Sequence, residues 1–268
     1  MPPRSEQHPY LSAAVPGQRR VLPPRVLAHR GLVAPRAAAA GVAENTRAAF
    51  DAAVDAGAVY LESDCRLTAD GEVVLFHDAE LRRVTGDPRQ VSQITLRELS
   101  ALMSERGGLL TLEQALDEFP RARFNVDVKA REAADPAGRI VAPHAHRVLI
   151  TSFSDAHRLR TLRSAAAAGA RPATSPGQRG IATLLAAVAS RSRRAEARAL
   201  DGLDALQIPE RQGPIRVLGP RLIDAAHRAG VEVHVWTVNE PARMMALIER
   251  GVDGIVTDRA DLAIETLG

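Results

Sequence analysis

The 268-residue sequence lacks the features that mark secreted and membrane-spanning proteins. Its one cysteine, Cys65, cannot form a disulfide within the chain and gives no evidence for an oxidising compartment. No window approaches the roughly 18 apolar residues of a transmembrane helix, and the first residues contain no apolar signal-peptide segment. We therefore expect a cytoplasmic location and no stable membrane insertion.

The sequence is also poor in the patterns that bind nucleic acids and nucleotides. The formal charge is +3, but basic and acidic residues are interspersed and only 3% of the residues are aromatic. No basic run alternates with aromatic residues, so we expect no nucleic-acid partner. The sequence has no Gly-rich dinucleotide-binding or Walker-type loop, which disfavours a doubly wound nucleotide-binding fold. Lysine is nearly absent: Lys129 is the only one, and its compact charge is therefore a candidate functional group.

What the sequence does contain is a repeated strand and helix pattern. Hydrophobic residues make up 46% of the chain and are mostly Ala, Val, Leu and Ile, as expected for parallel strands covered by helices. About eight parallel strands can be counted, which is the number in a TIM (β/α)₈ barrel. We predict a flexible tail over residues 1–24 and one barrel domain over residues 25–268.

Residues 60–78 depart from this pattern and carry polar chemistry. Glu62 and Asp64 alternate with other residues in a predicted strand, so both carboxylates share one face. An Asp-Gly turn at Asp70 and Gly71 then predicts a hairpin whose return strand ends at His77. This hairpin begins an excursion after the second strand. An exposed edge hairpin with solvated acids is the structural alternative.

Several other predicted strands end in polar residues. In a βα barrel the carboxyl ends of the strands meet at one mouth, whichever strand each comes from. Carboxylates gathered there can bind a divalent cation, and imidazoles can transfer protons near neutral pH. The strand-end residues are His29, Arg30, Glu62, Asp64, Asp127, Lys129, residues 236–239 and Asp258, with His77 beside them.

Nine short segments, in this order and at about these intervals, resemble the glycerophosphodiester phosphodiesterase family. They cover the chain from about residue 25 to the end and are AHRG 28–31, ENT 44–46, E-x-D 62–64, TADG 68–71, FHD 76–78, NVDVK 125–129, SF 152–153, WTVN 236–239 and VDGIVTD 252–258. The resemblance implies a TIM barrel that hydrolyses a small-molecule glycerophosphodiester to sn-glycerol 3-phosphate and an alcohol, with Mg²⁺ or Ca²⁺ as cofactor.

The resemblance also implies a role for each matching residue. The catalytic acid and base are His29 and His77, the metal ligands are Glu62, Asp64 and Asp127, and the phosphate- or substrate-binding residues are Arg30, Glu44, Lys129 and Trp236. Two of these have structural alternatives. Glu44 could be a first-turn acid of the helix that follows, with Asn45 as its cap, and Trp236 could simply pack at the barrel rim.

Three features depart from the family pattern. Asp127 occupies a position where the family more often has Glu, which would weaken or displace a bound metal. The loop over residues 31–44 is longer than the family's. The span 130–147 contains Pro136, Gly138 and Pro143, which we expect to break a crossover helix.

The sequence leaves open which substrate is used and whether the barrel is active. A lysophospholipase D would need an apolar groove for an acyl chain, for which the Ala-rich loop 37–43 is a candidate. The barrel could also be a phosphodiesterase for another polyol phosphate, or a catalytically silent protein that binds glycerophosphodiesters. The pattern does not predict the oligomeric state, the head group, or whether water or the glycerol 2-hydroxyl attacks phosphorus.

Overall fold

Eight parallel strands form a nearly closed barrel in the computed structural model, which describes residues 7–11 and 24–268. An antiparallel strand and a two-stranded ribbon lie outside the barrel. The strands are β1 Arg25–His29, β2 Tyr60–Leu67, β3 Val73–Leu75, β4 Arg123–Val128, β5 Val148–Thr151, β6 Ala173–Thr174, β7 Ala205–Ile208, β8 Arg211–Gln212, β9 Ile215–Arg216, β10 Glu232–Val235 and β11 Gly254–Thr257.

The helices lie between the strands. They are α1 Pro35–Ala39, α2 Arg47–Asp55, α3 Arg82–Thr85, α4 Leu96–Met103, α5 Leu112–Glu118, α6 Ala134–Val141, α7 Asp155–Ala167, α8 Gln178–Ser190, α9 Arg193–Leu200, α10 Pro220–Arg228, α11 Pro241–Glu249 and α12 Ala260–Leu267. Helices α3 and α4 belong to the excursion at the barrel mouth. Short 3₁₀ turns span Val91–Gln93, Ser104–Arg106 and Ala142–Arg147.

The barrel strands follow the order β6-β5-β4-β2-β1-β11-β10-β7. The two ends of this order meet through single contacts: the Asp204 amide donates to the Thr174 carbonyl at 3.0 Å, and the Gln207 amide donates to Ser175 Oγ at 2.9 Å. The predicted (β/α)₈ architecture is confirmed by this arrangement. Its strand register sets His29 beside Glu62, and Asp64 beside Asp127.

The predicted hairpin and excursion are present. β3 pairs antiparallel with β2, and Gly71 in the turn has a φ of +87°, a conformation that glycine adopts without strain. The excursion that follows packs over its own hydrophobic cluster, whose buried members are Val74, Phe76, Leu81, Val91, Ile94, Leu99 and Met103. It is therefore a folded unit attached to the barrel mouth.

The expected break in the crossover after β4 is wrong. Pro136 lies in the first turn of α6, where its missing N–H has no intrahelical partner to lose. Gly138 faces α7 so closely that an added Cβ would lie 2.5 Å from the Cβ of Ser164. Pro143 falls in the 3₁₀ turn that follows. The proline and the glycine thus allow the helix and its close packing.

The predicted loose packing of residues 1–24 is wrong for residues 7–11. Tyr10 and Leu11 are buried within a cluster at the amino ends of the strands, and the Tyr10 ring packs edge-on to Tyr60 at 5.3 Å between centroids. Arg25 and Arg123 donate to backbone carbonyls of this segment. Large apolar and aromatic side chains thus anchor a segment whose composition suggested a tail. The rest of the predicted tail, residues 1–6 and 12–23, lies outside the described residues.

Candidate active site

A cavity of about 530 Å³ opens where the barrel strands end, and eight of the nine predicted site residues line it. These eight are His29, Arg30, Glu62, Asp64, His77, Asp127, Lys129 and Trp236. Glu44 borders a smaller pocket and touches the site through Arg30, whose Nη1 donates to Glu44 Oε1 at 2.9 Å. The structure therefore brings the predicted residues together.

His29 is held by a carboxylate that follows the neighbouring strand β11. Its Nδ1 lies 2.6 Å from Asp258 Oδ1, and Asn239 Nδ2 donates to Asp258 Oδ2 at 2.8 Å. A carboxylate accepts hydrogen bonds, so Nδ1 carries the proton and Nε2 is left for a substrate. Burial lowers the pKa of His29, but the hydrogen bond with Asp258 and the charge of Glu62 outweigh burial and raise it.

His77 follows the same pattern on the excursion side of the cavity. Its Nδ1 lies 2.7 Å from Asp78 Oδ1, and Asp78 Oδ2 accepts a hydrogen bond from Arg83 Nε at 2.6 Å. Arg66 Nε donates to the carbonyl of His77 at 2.8 Å and fixes the backbone there. Each imidazole is therefore oriented through Nδ1, with Nε2 as the atom that can give or take a proton.

Three carboxylates on β2 and β4 line the same cavity as the two imidazoles. Glu62 and Asp64 share one face of β2, and Asp127 is the register partner of Asp64 on β4. Lys129 bridges two of them, with its Nζ 3.0 Å from Asp64 Oδ1 and 2.7 Å from Asp127 Oδ2. The chain's only lysine thus lies among buried acids.

Three buried carboxyl groups share two neighbouring cations, Arg30 and Lys129, so ionisation of all three is unfavourable. Burial, together with repulsion from Asp64 and Asp127, raises the pKa of Glu62 to about 8. The pKa of Asp64 is lowered, because Lys129 and Arg30 outweigh the effect of its burial. Glu62 is therefore the carboxyl group whose charge a further cation would stabilise most.

The donor set suits a divalent cation, although the side-chain positions do not form a metal cage. Within residues 7–11 and 24–268, no three His, Cys, Asp or Glu side chains are arranged to hold a metal ion. The carboxylates of Glu62, Asp64 and Asp127 are nevertheless the hard oxygen ligands that Mg²⁺ and Ca²⁺ prefer. Asp127 Oδ1 is buried and has no hydrogen-bond partner among the described residues, so one ligand atom is available.

Arg30 is placed by an unusual backbone conformation. Its φ is +58°, and its amide donates to the carbonyl of Glu62 at 3.0 Å and to Glu62 Oε2 at 3.1 Å. The following Gly31 has a φ of +87°, and a Cβ there would lie 2.7 Å from the backbone of Ala49. Strain of this kind persists where the surroundings impose it, often at functional sites.

The structural alternative for Glu44 is wrong. Helix α2 is capped by Thr46, whose Oγ1 accepts a hydrogen bond from the Ala49 amide at 3.3 Å. Asn45 instead donates from Nδ2 to Asp64 Oδ2 at 3.1 Å and accepts from Ser63 Oγ at 2.7 Å. Glu44 and Asn45 therefore belong to the site's polar network and not to the helix cap.

Sequence reasoning did not assign the residues that orient the predicted site. Asp78 and Asp258 each follow a predicted site residue or a strand, so adjacency was a usable signal. No sequence signal identifies Arg83, because nothing distinguishes it from the neighbouring arginines. The loop 31–44, expected to be long, contains the one-turn helix α1, which buries none of its residues.

Much of the remaining wall of the cavity is apolar. It comes from α8, the β8–β9 ribbon and two aromatic residues whose ring centroids lie 5.7 Å apart, Phe153 and Trp236. Apolar side chains on this wall include Ile181 and Leu185 of α8, Ile215 of β9, and Val217, which follows β9. Trp236 is therefore both packed at the rim and exposed to the cavity, so its two proposed roles are compatible.

A TIM barrel that gathers basic, acidic and imidazole groups at its strand ends has the features of a barrel enzyme, and its similarity to known proteins identifies the family. The sequence profile of the glycerophosphoryl diester phosphodiesterase family matches residues 29–262. Probable glycerophosphodiester phosphodiesterase 2 of Mycobacterium tuberculosis is 36% identical over 244 residues, 90% of this chain and 89% of that protein. The chain belongs to the glycerophosphodiester phosphodiesterase family, which confirms the expected family and enzyme class.

Solved structures share the fold along nearly the whole length. The crystal structure of a glycerophosphodiester phosphodiesterase from Thermotoga maritima matches with a TM-score of 0.67 and 27% identity, covering 90% of this chain and 96% of that one. A phosphodiesterase of Oleispira antarctica, solved with its product sn-glycerol-3-phosphate, matches with a TM-score of 0.66 and 21% identity, covering 91% and 96%.

No helix in the described part of the chain combines the length and the apolar character needed to cross a bilayer. The expected cytoplasmic location stays a prediction.

Proposed function

We propose that this protein hydrolyses glycerophosphodiesters to sn-glycerol 3-phosphate and an alcohol by acid and base catalysis with His29 and His77. The observation that carries the proposal is that both imidazoles line one cavity, each with Nδ1 on a carboxylate. Two such groups can act on opposite sides of a phosphorus centre. One Nε2 takes the proton of the attacking hydroxyl, and the other gives a proton to the departing alkoxide.

Two cations are placed to bind the phosphate. Arg30 offers the paired N–H groups of a guanidinium, which match two phosphate oxygens, and Lys129 offers a point charge. Glu44 and Asp64 hold the Arg30 guanidinium at 2.9 Å and 3.1 Å, so the fork is oriented before substrate arrives. A diester monoanion repels nucleophiles, and these charges reduce that repulsion.

We propose a divalent cation, Mg²⁺ or Ca²⁺, as cofactor, with Glu62, Asp64 and Asp127 as the residues that would hold it. When bound, such an ion supplies positive charge beside the phosphoryl oxygens. The proposal is supported by the raised pKa of Glu62, caused by burial and the neighbouring Asp64, and by the unpartnered Asp127 Oδ1. Lys129 would then share Asp64 and Asp127 with the ion.

The direct test is release of sn-glycerol 3-phosphate from glycerophosphocholine and glycerophosphoethanolamine, with added Mg²⁺, Ca²⁺ or EDTA. We expect release that EDTA abolishes and a divalent cation restores. Release unaffected by EDTA would remove the cofactor proposal and leave the histidine proposal standing. Binding of the substrate without any release would instead support a silent binding barrel.

The apolar wall of the cavity favours a second candidate, hydrolysis of lysophospholipids. Ile181 and Leu185 of α8 and Ile215 of the ribbon offer a surface for an acyl chain beside the phosphate site. Ile181→Asp should then lower turnover of lysophosphatidylcholine while leaving that of glycerophosphocholine nearly unchanged. Thr183→Asp, on the exposed side of α8, is the matched control. Equal effects of Ile181→Asp on both substrates would contradict this candidate.

A further inference from the structure

Arg83 lies outside the predicted site but contacts two carboxylates at its edge. The residue belongs to the short helix α3 in the excursion after β3. Its Nη2 donates to Glu44 Oε1 at 2.6 Å, and its Nε donates to Asp78 Oδ2 at 2.6 Å. Nε and Nη2 lie on one edge of the guanidinium, so a single planar group holds both acids.

Each of those acids holds a residue of the proposed reaction. Glu44 Oε1 also accepts from Arg30 Nη1 at 2.9 Å, and Asp78 Oδ1 lies 2.7 Å from His77 Nδ1. A continuous series of charged contacts thus connects the phosphate-binding guanidinium with one imidazole, and Arg83 is its middle member.

The charges explain why the middle member matters. Glu44 and Asp78 accept hydrogen bonds from adjacent nitrogens of one side chain, so the two carboxylates must lie close together. Without a cation between them they would repel and separate. Arg30 already neutralises Asp64 as well as Glu44, and cannot replace Arg83.

The backbone that carries Arg83 is firmly placed. Leu81, two residues earlier, is fully buried, and its amide donates to the Arg89 carbonyl at 3.0 Å. The Val91 amide donates to the Ala79 carbonyl at 2.9 Å, closing the turn. The Arg83 side chain itself is 53% exposed, so small solutes can reach its position.

We propose that Arg83 is a positioning residue that fixes His77 relative to Arg30 by clamping Asp78 and Glu44 together. This inference rests on the proposed function. It gives the excursion a role, which is to supply the cation that joins the β1–α2 loop to the end of β3. Misplacement of a proton donor or acceptor by about 1 Å can cost about 10²-fold in rate.

The test compares kcat and KM for glycerophosphocholine in Arg83→Ala, Arg83→Lys and the control Arg82→Ala. Arg82 is the exposed neighbour, for which no ion pair is found among the described residues. We expect Arg83→Ala to lower kcat by about 10²-fold with little change in KM, Arg83→Lys to fall between, and Arg82→Ala to match the wild type. Added guanidinium ion should partly restore kcat in Arg83→Ala only.

Three outcomes would overturn the inference. Arg83→Ala could behave like Arg82→Ala, it could raise KM at unchanged kcat as for direct substrate binding, or it could lose folding stability without rescue by guanidinium. A wild type that releases no product would refute the proposed function instead. In that case the ¹⁵N chemical shifts of the His77 ring still test the positioning role of Arg83. We expect Arg83→Ala to change these shifts and Arg82→Ala to leave them unchanged.

Discussion

The chemistry of this site depends on how single residues are held. His29 and His77 each present Nε2 because Nδ1 is engaged by a carboxylate, Asp258 in one case and Asp78 in the other. The motifs predicted the imidazoles, but an acid's hydrogen-bond partner depends on the fold. The pairing of Asp258 with His29 depends on the barrel register that brings β11 beside β1.

Asp258→Asn tests this orienting role. The amide is nearly isosteric but can donate to Nδ1, which favours the tautomer with the proton on Nε2 and removes a negative charge that raises the pKa of His29. We expect kcat to fall by about 10²-fold or more, as expected when an imidazole adopts the wrong tautomer. The control is Asp261→Asn, three residues on, which pairs with Arg259. A kcat within twofold of wild type would remove the orienting role.

The raised pKa of Glu62 predicts how stability depends on pH. Burial and Asp64 raise this pKa from 4.5 to about 8, so between these values the folded state holds a proton that the unfolded state has lost. The free energy of unfolding should therefore fall as the pH rises through this window, by at most about 1.4 kcal/mol per pH unit.

The measurement is denaturant unfolding in EDTA from about pH 5 to about pH 9, for wild type and Glu62→Gln. The amide cannot ionise, so we expect the variant to lose less stability than the wild type over this range. The same pH dependence in both proteins would show that Glu62 does not titrate in this window.

At the scale of elements, the sequence predicted whether a segment is a helix or a strand better than it predicted the residues at which the segment begins and ends. The hairpin of β2 and β3 and the eight barrel strands follow local periodicity and turn chemistry, which the sequence carries directly. The sequence did not predict helix α6, because Gly138 looks like a helix breaker until its close contact with α7 is known. Helix α2 begins later than expected, because Asn45 bonds to Asp64 and leaves the cap to Thr46.

Gly138→Ala tests the close contact between α6 and α7. An added Cβ would lie 2.5 Å from both the Ser164 Cβ and the Thr161 carbonyl oxygen. We expect unfolding free energy to fall by about 1–3 kcal/mol from overpacking, despite alanine's better helix propensity. Gly219→Ala is the control, because no atom of the described part of the chain lies within 4 Å of its added Cβ. A stabilised Gly138→Ala variant would show that the helices can separate at little cost.

At the scale of the whole molecule, the barrel separates stability from chemistry. The site residues lie at the carboxyl ends of the strands, whereas Tyr10 and Leu11 pack at the amino ends with Tyr60. Composition could not predict that Tyr10 and Leu11 pack against the barrel. Residues 7–11 are polar on average, and their anchoring depends on the barrel already being formed. The fold class and the residues around the cavity could be predicted, since motifs and strand ends carry that information.

Tyr10→Ala and Tyr10→Phe test this separation. Removing a fully buried ring should lower the unfolding free energy by about 3 kcal/mol or more. The Tyr10 hydroxyl is buried and has no hydrogen-bond partner within residues 7–11 and 24–268, so Tyr10→Phe should be neutral or stabilising. Both variants should keep wild-type kcat where they remain folded. A loss of kcat in a folded variant would show that the two barrel ends are coupled.

In the proposed reaction, His29 and His77 move protons on opposite sides of one phosphorus atom. The most direct measurement is kcat for His29→Ala and His77→Ala on glycerophosphocholine and on glycerophospho-p-nitrophenol, whose leaving group needs no proton. We expect both variants to lose about 10² to 10⁴-fold on the first substrate, but only the variant lacking the base to lose as much on the second. Wild-type kcat in either variant, or equal losses on the two substrates in both variants, would contradict this assignment.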